Sequence, residues 1–162
     1  MKRFRIKTQL IYKDGKVLYI LKTYHAEIPS NIDSIKKTVS EIISSIQNVY
    51  GELDDDIIFD VKVILNELLV NAIKHGNSCC PDYFVKITAG VLEDDSAFFI
   101  IEDQGQGYNY EFIRRENLNH VDSLHEFRET GRGILIVENL CNRIYHNKKG
   151  NKVIAVKKLS KD

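Results

Sequence analysis

Between Ser30 and Gly51 the apolar residues Ile32, Ile35, Val39, Ile42, Ile43, Ile46 and Val49 recur at helical spacing. This stripe constrains the fold more than any other stretch, because a helix with one apolar face must lie on another apolar surface. Ser30, three residues before Asp33, reads as its N-terminal cap, and Gly51 as its stop. A second helix is expected from Asp54, Asp55 and Asp56, acids that suit the positive end of a helix dipole, to about His75, with Gly76 ending it. His75 reads as part of that C-terminal cap, the alternative being a group that supports a site from behind. Further on, Ile134, Val137, Leu140 and Cys141 predict a third helix from Gly133.

The surface these helices cover is predicted from runs rich in β-branched and aromatic residues. Residues 83 to 92 and 97 to 102 read as antiparallel strands joined by the turn Glu93-Asp94-Asp95, and 153 to 159 as a last strand after Gly150. At the start, residues 3 to 12 and 17 to 24 flank Lys13-Asp14-Gly15-Lys16, an Asp-Gly hairpin signal. We take 1–24 as a hairpin extension and 25–162 as one domain. The sum is an α/β chain with helices layered on a mixed sheet. Residues 108 to 130 are polar and irregular, and a loop of that length in a compact domain reads as a lid.

Charge and composition narrow the function. Lys plus Arg and Asp plus Glu both number 23, so the formal net charge is zero and no long-range field would gather nucleic acid or anionic membrane. Apolar runs such as Ala97 to Ile101 are far too short to cross a bilayer, and the opening residues lack a signal peptide's apolar stretch. A cytoplasmic protein with no direct nucleic-acid or membrane partner is expected. Its three cysteines, including the adjacent Cys79 and Cys80, have no metal spacing and read as reduced thiols.

Three short segments could carry chemistry. At roughly 100° per residue, Glu67, Asn71 and Lys74 fall within about 60° of one another on the second helix, apart from the apolar sector of Val61, Leu65, Leu68 and Ala72. A carboxylate beside an amide oxygen suits Mg²⁺ or activation of a hydroxyl; the alternative is a solvated helix face. Asp103, followed by Gly105 and Gly107, sits at a strand end, where an acceptor beside unhindered glycines suits a purine amino group; the alternative is a tight turn. Thr130, Gly131, Arg132 and Gly133 open a helix, whose free N–H groups suit a phosphate. His120, His125 and His146 read as surface residues.

In this order, Asn66-Glu67-Leu68-Leu69-Val70-Asn71-Ala72-Ile73-Lys74-His75-Gly76, then Asp103-x-Gly105-x-Gly107, then Gly131-Arg132-Gly133 resemble the N, G1 and G2 boxes of the GHKL ATPase superfamily. Within it the chain is most similar to the anti-sigma-factor serine/threonine kinase branch, over roughly residues 25 to 160. The resemblance implies the Bergerat ATP-binding fold, an α+β two-layer sandwich whose mixed, mostly antiparallel sheet is covered by helices on one face. It also implies ATP and Mg²⁺ as cofactors, with Glu67 as general base, Asn71 holding Mg²⁺, Asp103 taking the adenine amino group, and Gly105 and Gly107 shaping the pocket. Lys74 and Thr130 to Gly133 would complete the ATP site as the lid closes. The implied partner is a protein, an anti-sigma antagonist or a sigma factor, and a homodimer is an open expectation. Two other readings stand beside the kinase: a nucleotide-dependent binding switch without phosphoryl transfer, and a detached histidine-kinase catalytic domain.

Overall fold

A computed structural model of the chain describes residues 10–13, 16–107 and 129–160; residues 3 to 9 of the expected first strand and nearly all of the expected lid lie outside them. The elements in chain order are β1 (Leu10–Lys13), β2 (Lys16–Pro29), α1 (Asp33–Tyr50) and α2 (Asp55–Val70), which continues into a π-helical turn (Asn71–Gly76). Beyond it lie β3 (Phe84–Leu92), β4 (Ser96–Glu102), α3 (Glu129–Leu140), β5 (Arg143–His146) and β6 (Lys152–Lys158).

The strands form one sheet in the order β1-β2-β3-β4-β6-β5. Every pairing among the described residues is antiparallel. Strand alternation separates its two faces. Val85, Ile87, Ala89 and Val91 of β3 and Phe99 and Ile101 of β4 join Ile35, Val39, Ile42 and Ile46 of α1, Val61, Ile64, Leu65 and Leu68 of α2 and Val137 of α3 in one core. All three helices therefore lie on one face. Ile20, Leu92 and Phe98 form a smaller cluster apart from that core.

Local details differ from the sequence expectations for physical reasons. Ser30 does not cap α1: its hydroxyl donates to the Tyr83 carbonyl at 2.9 Å, while Asn31 Oδ1 accepts the Asp33 N–H at 2.9 Å. The third helix begins at Glu129, so Thr130 to Gly133 lie in its first turns instead of before it. No helix among the described residues is long and apolar enough to cross a membrane.

Candidate functional site

α2 carries Glu67 to within one turn of Asn71, whose N–H is shared between the carbonyls of Glu67 and Leu68. From Asn71 the helix widens to a π turn, closed by the Asn77 N–H donating to the Ala72 carbonyl at 2.8 Å. Such turns concentrate at functional positions because the extra residue re-aims the side chains beyond it. Asn71 and Glu67 are half-buried, but Lys74 and His75 are exposed.

The turn also brings Gly76 against Asp103, at the end of β4. A Cβ on Gly76 would lie 2.3 Å from Asp103 Cγ, and one on Gly105 would lie 1.9 Å from the Gly76 carbonyl oxygen. The Asp103 carboxylate is therefore cradled by two glycines that nothing larger can replace without movement. Its Oδ1 accepts the Gly105 N–H at 2.9 Å. Asp103 is buried, and burial holds its carboxyl above the ordinary carboxylate value, outweighing the Gly105 hydrogen bond and the Lys149 charge that pull it down. Gly107, with φ of +79°, would with a Cβ meet the Lys149 carbonyl oxygen at 1.9 Å.

A second clamp comes from the β5–β6 turn. Asn147 Oδ1 accepts the N–H groups of Gly150, Asn151 and Lys152 at 2.9, 3.1 and 3.1 Å. So held, Asn151 accepts the Asp103 N–H on its carbonyl at 2.9 Å and donates its side-chain amide to the Asp103 carbonyl at 2.8 Å.

The start of α3 closes the other side. A Cβ on Gly133 would lie 2.1 Å from Glu67 Oε2, so the helix backbone rests directly on this carboxylate. Ile134 and Val137 of α3 then face Leu68, Ala72 and Ile101 across a cleft whose polar lining includes Asn71, Asp103 and Asn151. The cleft measures about 20 Å³, room for one water. Thr130, Gly131 and Arg132 contribute backbone to α3, and their side chains lie outside the described residues.

The structure thus gathers Asn71 and Asp103 in one cleft, with Glu67 at the start of α3, and sets Lys74 outside it. Sequence reasoning missed Asn77, Asn147 and Asn151, for which loop asparagines next to turns were the available signal. It also read His146 as a surface residue, whereas it is half-buried and lines the cleft; His120 and His125 lie outside the described residues. The described residues contain no group of three or more His, Cys, Asp or Glu that could hold a metal ion. Mg²⁺ needs no such cage, since one or two oxygen ligands, waters and phosphates suffice, and the hard amide oxygen of Asn71 fits that demand.

The family model described as the histidine kinase-like ATPase domain matches residues 28–157. Among curated proteins, an anti-sigma F factor of Clostridium perfringens is 31% identical over 126 residues, 76% of this chain and 84% of the relative. The serine-protein kinase RsbW of Staphylococcus epidermidis is 24% identical over 132 residues, 80% of each chain. Among solved structures, a histidine kinase domain from an Erythrobacter litoralis blue-light activated histidine kinase aligns with a TM-score of 0.44 at 17% identity, covering 80% of this chain and 59% of that one.

Proposed function

Because this chain belongs to the histidine kinase-like ATPase domain family, we propose that it binds ATP with Mg²⁺ and transfers the γ-phosphate to a serine or threonine of a protein partner. The observation that carries the reading is the buried Asp103 carboxylate, cradled by Gly76 and Gly105 beside the half-buried Asn71. A buried acceptor in a fixed orientation is what recognition of an exocyclic amine requires. The names of the anti-sigma F factor and serine-protein kinase relatives support the kinase and the partner class.

In this reading residues 25–162 form the nucleotide-binding unit and 1–24 an extension, continuous with its sheet because β2 runs unbroken from Lys16 to Pro29 and pairs with β3 from Ile20 onward. Asp103 accepts the adenine amino group, and Gly105 and Gly107 let the nucleotide approach the backbone. Bound Mg²⁺ screens phosphate charge, and the amide oxygen of Asn71 would hold it. Glu67 accepts the proton of the partner's hydroxyl as its oxygen forms a bond to the γ-phosphorus, the bond to the bridging oxygen breaks, and ADP leaves. The free first-turn N–H groups of α3 at Thr130 and Gly131 meet the phosphates, with Arg132 adding charge and Gly133 seating the helix on Glu67. Lys74, exposed on the turn that follows Asn71, serves the outer phosphate end. The partner is an anti-sigma antagonist, a sigma factor or both, in the cytoplasm, and the acting unit is a homodimer.

A second reading rests on the closed cleft. About 20 Å³ is open under α3; in this reading nucleotide entry displaces that helix, and a partner that senses its position is switched without any phosphoryl transfer. Glu67→Ala separates the two. For a kinase, transfer to the hydroxyl substrate falls by about 10²- to 10⁴-fold, while calorimetry finds ATP affinity unchanged. Transfer that persists in this variant would remove Glu67 as the base. Titration of the parent chain with ATP, with and without Mg²⁺, tests the nucleotide itself: heat that appears only with both supports the reading, and its absence with both present refutes it.

A further inference from the structure

The β3–β4 ladder ends at the pair Lys86↔Glu102. Two residues further along each strand, the next partners would be Phe84 and Gln104. In an antiparallel sheet, residues so placed can exchange N–H and carbonyl directly. Here they do not. Gln104 donates its N–H to Asn77 Oδ1 at 2.7 Å, and the Phe84 carbonyl accepts from Asn77 Nδ2 at 3.0 Å. The Asn77 carboxamide is thus inserted between two strands like an extra peptide unit, one face accepting and the other donating. The Phe84 N–H turns to the Gln104 side-chain oxygen at 2.6 Å. The second hydrogen of Asn77 Nδ2 goes to Ser30 Oγ at 2.7 Å, which binds the end of β2 to the same point.

Asn77 is 1% exposed, and its side chain uses all the partners that a buried amide demands. Its effect is geometric. By holding Gln104 away from Phe84, it ends β4 after Glu102 and turns the chain so that the adjoining Asp103 carboxylate points to Gly76 and the cleft. We propose that Asn77 is the positioning residue that sets nucleobase selectivity, acting through the Gln104 peptide on Asp103 and touching no ligand itself. The proposal rests on the reading of Asp103 as the acceptor of the adenine amino group. Guanine carries a carbonyl oxygen where adenine carries that amine, so a correctly aimed carboxylate favours ATP over GTP, and a misaimed one does not.

The test is competition of ATP and GTP against a fluorescent ATP analogue, with Mg²⁺, on the full chain and two variants. Asn77→Ala leaves the Gln104 N–H and the Phe84 carbonyl without their partner. The expected result is a rise of about tenfold in the ATP dissociation constant with GTP changed by less than about twofold, so that discrimination is lost. Ser30→Ala removes a single partner of the amide, is expected to fold even if Asn77→Ala does not, and should weaken ATP alone by about two- to fivefold. A merely structural role would lower both affinities together; that outcome, or discrimination retained in both variants, overturns the proposal. A parent protein that binds ATP and GTP equally, or neither, overturns the reading of Asp103 first and this inference with it.

Discussion

At the scale of single residues, the role proposed for Asp103 stands in opposition to stability. Its carboxyl is held above the ordinary value by burial, so the folded state binds the proton more tightly than the unfolded chain does. The resulting stability is fully present below the unfolded value and is lost as pH rises through the folded one. Asp103→Asn removes this loss, and its amide oxygen can still accept the Gly105 N–H. Melting curves should therefore give Asp103→Asn a higher Tm than the parent at pH 7, with the margin shrinking toward pH 3, although the variant loses ATP binding. A lower Tm at pH 7 would mean that ionised Asp103 is better compensated than its burial implies. The glycines around it were visible in sequence as a motif, but what they avoid was not. That Gly76 and Gly105 meet each other and Asp103 depends on two segments about thirty residues apart in the chain folding onto one point.

At the scale of elements, periodicity carried most of the information. The stripe from Ile32 to Val49 became α1, and the strands expected at 83 to 92 and 97 to 102 became β3 and β4 within a residue at each end. The short element β5 escaped, since Arg143-Ile144-Tyr145-His146 is too brief to show alternation and is a strand only because β6 pairs with it. The π turn escaped as well, because a helical wheel assumes a constant step and Lys74 was projected on that assumption. For α3, the contacts of Ile134 and Val137 over the cleft make docking a matter of a few side chains. Ile134→Ala should weaken that docking, speed amide exchange in α3 but not in α2 or β4, and raise the association rate of ATP in stopped-flow mixing, since the open form becomes more populated. An unchanged rate with faster exchange would show that opening of α3 does not limit entry.

At the scale of the whole molecule, one core spans the sheet and all three helices, with Phe99 fully buried at its centre in β4. Phe99→Ala should cost about 3–5 kcal/mol in urea unfolding, and far-UV circular dichroism and near-UV signals should lose structure in one coincident transition. Two separated transitions would divide the chain into independent units. The balance of 23 basic and 23 acidic residues remains consistent with a site built from local hydrogen bonds and glycine contacts instead of a broad field. Layering of helices on a sheet was predictable from pattern alone. The antiparallel order β1-β2-β3-β4-β6-β5 was not, because strand order is decided by which edges meet, and no residue type encodes that directly.

The carboxamide wedged between Phe84 and Gln104 has a bearing on how such a protein can diverge. A residue that aims the recognition group from behind can be exchanged without altering any wall of the cleft. Ligand preference could then drift between descendants whose pocket-facing residues are identical, and a comparison restricted to those residues would record no change.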